Sequence, residues 1–154
     1  KDSVIIDAAL TFEEKAGKLK EKYTNLFSGI ESDKTIIPER FESKWKMKFF
    51  CERESSEFYF FEYEDSTAKQ NVMNNWFSCF GKDCITIKEY EKQKGIISQP
   101  CLVIFNEKEI IYYGHECNKN ELINVEIINE LKILFGNKKS KYLQIFCSGI
   151  LNWK

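Results

Sequence analysis

Several residue types and patterns are scarce in this sequence, and each absence excludes a class of protein. No apolar run approaches the roughly 20 residues that a membrane-spanning helix needs, so we expect no membrane span. Only Arg40 and Arg53 are arginines among the 23 basic residues, which disfavours base reading and bidentate phosphate binding. The formal net charge of −1 gives no bulk field that would attract nucleic acid or an anionic membrane surface.

Motifs that carry common catalytic and metal chemistry are also missing. There is no C-x-x-C pair, no G-x-S-x-G or H-E-x-x-H motif and no glycine-rich phosphate loop, since the seven glycines are all isolated. The single histidine, His115, has only Cys117 near it in the sequence, whereas a structural zinc site usually has two close pairs of ligands. We therefore expect no catalytic residue, no metal and no cofactor, and the sequence favours a protein that is not an enzyme.

The abundant residues indicate one folded domain spanning residues 1–154. Hydrophobic residues make up 43% of the chain and aromatic residues 15%, which suffices for a sizeable core and argues against disorder. Because the first residue is Lys1 rather than Met, we expect that a leader or an upstream domain has been removed, and the sequence does not distinguish between them.

The N-terminal third contains one helix pattern and one strand pattern. Thr11 and Glu14 match a capping box, and apolar residues follow at helical spacing, so we predict a helix over residues 11–27. The preceding stretch SVIIDAAL fits a strand or a loose arm. Further on, KWKMKFF alternates lysines with large apolar residues, which predicts a half-buried strand.

The middle of the chain predicts a second strand and a second helix. EFYFFEY is aromatic enough for a strand that is buried on both faces. A helix should follow, capped by Asp65, Ser66 or Thr67 and ended by Gly81. After it, DCITI is predicted as a short strand and KEYEKQK as a helical turn.

The C-terminal third predicts two strands, a helix and one more strand. CLVIF and EIIYY flank the charged turn NEKE, and the tail KYLQIFCSGILNW is predicted as a single strand. Between them, apolar residues recur every third position from Leu122 to Leu134, which predicts an amphipathic helix. The order of elements after residue 44 predicts an α/β (α+β) fold, with a mixed sheet and helices against it.

Residues 85–135 resemble the C-terminal half of a thioredoxin-fold domain. In that family a short helix ends in Gly-Ile, and a cis-proline follows five residues after the glycine; here Gly95 and Ile96 precede Pro100 at that separation. PCLVIF, NEKE, IIYYG and NELINVEIINELKILF then supply the family's strand, charged turn, antiparallel strand and final helix in order. Proline lacks an amide donor and so belongs at the start of a strand.

The upstream half of the resemblance rests on FFEYEDSTAKQNVMNNW. Aligning its aromatic residues with the family's active-site segment puts Ser66 and Lys69 at the two cysteine positions. The resemblance therefore implies a redox-inactive member with a thioredoxin-like central mixed sheet flanked by helices. It also implies a peptide groove formed by Ser66, Lys69, Gln99 and Pro100 together with the loop at 114–118.

The resemblance also divides the chain. Residues 1–44 would be an N-terminal helical extension and connection, residues 45–135 the thioredoxin-like core, and residues 136–154 a C-terminal strand-like tail.

The six cysteines leave the compartment open. In a secreted chain they would permit three disulfides, whereas in a reducing compartment they would be buried thiols. Cys79 and Cys84 fit a structural disulfide, two plain thiols or an unusual redox pair, and Cys51 could pair with Cys79 or Cys147. Cys101 fits a buried strand cysteine. The possible disulfide or thiol residues are Cys51, Cys79, Cys84, Cys101, Cys117 and Cys147.

Four functions follow from these observations. The leading hypothesis is a non-catalytic thioredoxin-like domain that binds a protein or forms a subunit of a larger assembly. The second is a secreted, disulfide-stabilised protein that engages an extracellular or host partner. An atypical thiol-disulfide oxidoreductase and a nucleic-acid-binding subunit, which would use the lysines and aromatics of KWKMKFF, are the remaining alternatives. The sequence leaves the partner, the compartment and the oligomeric state open.

Overall fold

The computed structural model describes residues 10–31, 36–39, 41–52, 55–117 and 121–154. The arm or strand predicted for SVIIDAAL lies outside these residues except for Leu10, and both arginines lie outside them as well.

Three helices and seven strands make up the described chain. The helices are α1 (Phe12–Phe27), α2 (Ser66–Ser78) and α3 (Glu121–Phe135). The strands are β1 (Gly29–Glu31), β2 (Trp45–Cys51), β3 (Ser56–Glu62), β4 (Cys101–Phe105), β5 (Glu109–Gly114), β6 (Lys141–Ile145) and β7 (Leu151–Trp153).

The strands form one sheet in the order β1-β2-β3-β5-β4-β6-β7. An α+β fold is therefore confirmed, but the mixed sheet that we predicted is not found, because every strand pair in the described chain is antiparallel. β5 pairs with both β3 and β4 and separates them. As a result β3 and β4 run in the same direction without touching each other.

The sheet separates two apolar cores, which gives the described chain three layers. On one face α2 packs Val72, Met73, Trp76 and Phe77 against alternate residues of the central strands. On the other face α1 and α3 pack against the intervening residues, such as Phe58 and Phe60 of β3. Both faces of the sheet are covered at β3 and β4. All of β4 and all but the last residue of β3 are therefore buried, and their sequences contain the uninterrupted apolar runs FYFF and CLVIF.

The helix that the sequence predicts over residues 11–27 is confirmed as α1. Thr11 accepts from the amide of Glu14 at 3.2 Å, and the Glu14 carboxylate accepts from the amide of Thr11 at 2.9 Å, so both halves of the capping box are present. The helix ends at Ser28, which takes the left-handed conformation with φ 54°. The strand after it, β2, also follows prediction, with Trp45, Met47 and Phe49 towards the α1 side.

Four local predictions differ from the structure. DCITI contributes only an isolated bridge between Phe80 and Ile85, and KEYEKQK forms turns without a helix. The tail is two strands, because Gly149 has φ 85° and the chain reverses between β6 and β7. In α3 the buried residues are Ile127, Leu131 and Phe135, at intervals of four, whereas Leu122 and Val125 are exposed.

Within the described part of the chain, no helix is both long enough and apolar enough to cross a membrane.

Candidate functional site

The structure does not bring the four predicted groove residues together. Glu62, at the end of β3, pairs with Glu109, whereas Cys101, at the start of β4, pairs with Gly114 at the other end of β5. Because β3 and β4 point the same way, Ser66 and Lys69 lie beyond one end of the sheet, and Gln99 and Pro100 lie at the opposite end. The Gln99–Pro100 peptide is trans.

At the α2 end, the two positions that align with the family's cysteines are ordinary helix residues. Asp65 caps the helix by accepting from the amide of Ala68 at 2.8 Å, and Ser66 is exposed in the first turn. Lys69 is half-buried, and burial, together with the nearby Lys141, lowers the pKa of its ammonium group. This end therefore has no group that could serve as a nucleophile of thiol chemistry.

At the other end, the side chain of Gln99 joins a buried polar network. Its Nε2 donates to Oε2 of Glu57 at 2.6 Å and to the hydroxyl of Tyr112 at 2.7 Å. The carboxylate can only accept, so the Nε2 orientation of the amide follows from its partner. Glu57 is only 3% exposed, which makes it a rare buried carboxylate side chain.

Burial governs the acid–base behaviour of the network. It raises the pKa of the Tyr112 phenol well above its ordinary value, so this hydroxyl stays neutral at physiological pH. It also raises the pKa of the Cys101 thiol to about 12, although hydrogen bonds from Tyr112 and the backbone oppose the shift. A thiol with such a pKa is a poor nucleophile at physiological pH.

Gly114 makes room for this network. A Cβ added to Gly114 would overlap Nε2 of Gln99 and a ring carbon of Tyr112. The glycine that ends β5 is thus explained by the side chain that passes over it, and no special backbone angle is needed.

Two hollows flank the Gln99–Pro100 peptide. The first, the α2-side hollow, has a cavity volume of about 300 Å³, and its lining residues are Ile36, Trp76, Cys79, Phe80, Gly81, Ser98, Gln99 and Tyr112. The second, the α3-side hollow, has a volume of about 440 Å³ and lies between α3 and the end of β6. Its lining includes Pro100, His115, Val125, Ile128, Phe146 and Cys147. The structure thus joins Pro100 with part of the loop at 114–118, as expected for the groove, but without Ser66 and Lys69.

Four of the six cysteines form disulfides. Cys79 at the end of α2 is bonded to Cys84, and Cys117 after β5 is bonded to Cys147 after β6. Cys79, Cys84 and Cys147 are exposed, and Cys117 is half-buried. The pairings considered for Cys51 are therefore not found, because Cys79 and Cys147 are bonded to other partners.

Cys51 and Cys101 remain buried thiols. They belong to the cores on opposite faces of the sheet, and β3 and β5 lie between their strands. At about 4.8 Å per strand spacing, this separation is far beyond the reach of a disulfide.

The lysines of β2 pair with an acidic side chain, and the single histidine stacks on a tyrosine. Lys46 and Lys48 of β2 both form ion pairs with Glu39, at 3.1 and 3.2 Å, while Phe49 points into the core on the other face. His115 is half-buried, with its ring stacked on Tyr113. Among the residues that the structure describes, no group of three or more histidine, cysteine or acidic side chains could hold a metal ion.

Sequence reasoning identified Gln99 and Cys101 but missed Glu57 and Tyr112. Both missed residues lie in runs that read as plain strand, and only the register across β5 brings them to Gln99. One available signal was the position of Glu57 within EFYFFEY. A strand that is covered on both faces has no solvent-exposed face, so an acidic residue inside it is buried.

No protein-family model, curated protein or solved structure matches this chain.

Proposed function

We propose that this chain is a non-catalytic, disulfide-stabilised domain that works in an oxidising compartment and binds a protein partner through the α3-side hollow. The observation that carries the proposal is the distribution of cysteines: the four that lie near the surface are bonded in pairs, and the two that remain thiols are buried.

The disulfides support the compartment. Exposed disulfides are reduced by the thiol pools of the cytosol and persist in the secretory pathway and outside the cell. Three of the four bonded cysteines are exposed, so both bonds are open to reductant. A chain with this pairing is suited to the extracellular space or to the lumen of the secretory pathway.

The surface around the α3-side hollow supports protein binding. Val125 is 53% exposed, Leu122 76% and Phe146 40%, and Val125 and Phe146 line the hollow. Cys147 lines the hollow, and its bond to Cys117 ties the segment after β5 to the segment after β6. A hollow with exposed apolar residues at its rim fits the apolar side chains of a protein segment.

The other functions that the sequence left open find less support. A redox pair needs a thiolate at a helix N-terminus, and Cys79 lies at the C-terminal end of α2. Nucleic-acid binding through KWKMKFF would use its lysines, and the ion pairs of Lys46 and Lys48 with Glu39 reduce the net positive charge of this strand.

The thioredoxin-like part of the proposal is limited to the unit β4-β5-α3. Its strand, turn, strand and helix follow the family's order from Pro100 onward. The partner surface that we propose lies on this unit and does not use Ser66 or Lys69.

The compartment is tested by counting thiols. The protein is expressed in its native host, isolated without reductant, denatured and titrated with a thiol reagent, and peptide mapping then assigns the bonds. Two reactive thiols, at Cys51 and Cys101, are expected. Before denaturation neither should react at mildly alkaline pH, because both are buried. Six reactive thiols in the denatured protein would overturn the proposal.

The binding surface is tested with a peptide library. The oxidised protein is used to select displayed peptides, and the selected peptides are then measured against Val125→Asp and Leu26→Asp. These two positions are matched controls, since Val125 is 53% and Leu26 51% exposed, on α3 and α1 respectively. Val125→Asp should weaken binding by at least about tenfold and Leu26→Asp should not. Equal effects of the two variants would contradict the proposed surface.

A further inference from the structure

The two disulfides of this chain differ in how easily a reductant can reach them. Cys79 and Cys84 are both exposed, and so are residues 81–83 between them. Cys117 is half-buried, and its partner Cys147 lines the α3-side hollow. Thiol–disulfide exchange needs direct contact between the attacking sulfur and the bond, so access governs much of its rate. A thiol in solution can therefore approach the first bond from either of its cysteines.

The loop that the Cys79–Cys84 bond closes, which we call the 79–84 loop, is also anchored by backbone hydrogen bonds. Phe80 and Ile85 form an isolated antiparallel bridge, in which the two amides donate to the opposite carbonyls at 2.8 and 2.9 Å. Phe80 is 3% exposed and packs with α2 in the core. These contacts involve neither sulfur, so we expect the loop to keep its place when the disulfide opens.

The backbone of the 79–84 loop is strained next to the bond. Cys84 has φ 55°, in the left-handed region that residues with a Cβ rarely adopt. Gly81, with φ 73°, has no Cβ and takes the same region without that penalty. Exposure and strain are the features of disulfides that exchange readily, whereas unstrained and inaccessible disulfides resist exchange.

The 79–84 loop lies against the segment that leads to Gln99. The amide of Lys82 donates to the carbonyl of Ile97 at 2.9 Å, and Cys79 and Gly81 line the α2-side hollow. The strands of the sheet lie outside the loop. A change in the covalent state of this bond therefore acts on the wall of the α2-side hollow and leaves the sheet in place.

We propose that the Cys79–Cys84 bond is a redox-sensitive switch. A low-molecular-weight thiol opens it in the folded protein, and the disulfide of that thiol closes it again, while Cys117–Cys147 stays formed. The pair is the substrate of exchange and not its catalyst, because Cys79 lies at the C-terminal end of α2, where the helix dipole disfavours a thiolate. This inference goes beyond the proposed function, which requires only that both bonds exist.

Opening consists of two exchange steps. The thiolate of the small thiol attacks one sulfur of the pair and forms a mixed disulfide with it, and the electron pair of the broken S–S bond goes to the other protein sulfur, which takes a proton from water. A second thiolate attacks the small molecule's sulfur in the mixed disulfide, so that the small thiol leaves as its own disulfide and the protein keeps two thiols. Closure is the reverse, and its last step is intramolecular because the loop holds the two cysteines close together.

The experiment follows both bonds in one sample. The oxidised protein is incubated with reduced glutathione at mildly alkaline pH, and free thiols are trapped at intervals with an alkylating reagent. After denaturation and full reduction, the remaining cysteines are labelled with a second reagent of different mass, and peptide mapping gives the opened fraction of each bond. Cys79–Cys84 should open at least about tenfold faster than Cys117–Cys147.

A urea series and a variant show whether opening occurs in the folded protein. About 1 M urea should change the opening rate of Cys79–Cys84 by less than about twofold, whereas a reaction that first requires unfolding would speed up about fivefold or more. The variant with Cys117→Ser and Cys147→Ser carries only the short loop and should open it at the wild-type rate. Mapping of the wild type needs no variant, so the test stays decisive if the serine variant does not fold.

Opening must also be reversible and leave the core intact. The near-ultraviolet circular dichroism of the aromatic core should persist after Cys79–Cys84 has opened, and oxidised glutathione should restore the same pair in the peptide map. Equal or faster opening of Cys117–Cys147, an opening rate that rises with urea as unfolding requires, or loss of the core signal on opening would each overturn the proposal.

Discussion

The side-chain amide of Gln99 lies 2.6 Å from the carboxylate of Glu57, although the two residues are 42 positions apart. Glu57 is the second residue of β3, and Gln99 precedes β4, which is two strands away in the sheet. The bond therefore spans β5, and it ties the segment before β4 to the middle of the sheet. The two hollows and the network all depend on where this segment lies.

The first prediction concerns the cost of losing that amide. Gln99→Ala removes the donor to Glu57 and to Tyr112, so buried polar atoms lose a partner. We expect the free energy of unfolding to fall by about 1–3 kcal/mol, as measured by urea denaturation. Ser98→Ala, at the exposed neighbouring position, is the control and should change it by less than about 0.5 kcal/mol. If the two variants have the same free energy of unfolding, the hydrogen bonds of Gln99 make no measurable contribution to stability.

The second prediction concerns Gly114. Gly114→Ala places a methyl group where Nε2 of Gln99 lies, so it should destabilise the protein through that side chain. In a double-mutant cycle with Gln99→Ala, the added cost of Gly114→Ala should shrink by about 1 kcal/mol. If the two substitutions change the free energy of unfolding additively, the side chain of Gln99 does not contribute, and the contact with Tyr112 alone accounts for the glycine at position 114.

The third prediction ranks the two disulfides. Cys117 and Cys147 are 30 positions apart and Cys79 and Cys84 only five, and the entropy removed from the unfolded chain rises with loop length. Replacing both cysteines by serine should cost about 3.5 kcal/mol for the longer loop and about 2 kcal/mol for the shorter one. Urea denaturation of the reduced wild type provides the control, since it should match the variant that lacks both bonds.

The fourth prediction is a pH dependence. Burial raises the pKa of Glu109 above the ordinary value of 4.5, a hydrogen bond from Asn106 opposes this, and the cross-strand neighbour Glu62 adds to it. The folded state thus holds the proton more tightly than the unfolded state does, so ionisation of Glu109 lowers stability as the pH rises above the ordinary carboxyl value.

Glu109→Gln tests this directly, because the amide keeps an oxygen that can accept from Asn106. The variant should be more stable than wild type at neutral pH, and the difference should disappear as the pH falls below 4.5. Thermal unfolding over a pH series measures it. A difference that stays constant with pH would contradict the predicted ionisation effect.

Local patterns allowed much of the fold to be predicted. Thr11 and Glu14 determine the start of α1 through contacts within one turn, and the alternation in KWKMKFF needs only one covered face. These features depend on neighbouring residues, so the sequence contains all that is needed to predict them.

Features set by distant pairing could not be predicted. The place of β5 between β3 and β4 decides that Ser66 and Pro100 lie at opposite ends of the sheet, and nothing in either segment encodes it. The buried face of α3 was misjudged for a related reason: Leu122 and Leu134 fit an interval of three, but the sheet covers the row that contains Ile127 and Leu131.

The two strands at the sheet's margins, β1 and β7, are each three residues long in the described chain. An edge strand of three residues has few unpaired backbone donors and acceptors, so a second chain can form few backbone hydrogen bonds with it. Self-association by strand pairing at β1 or β7 is accordingly disfavoured. Any chain that contacts these margins must instead do so through side chains, so such a contact depends on the surface residues rather than on the backbone.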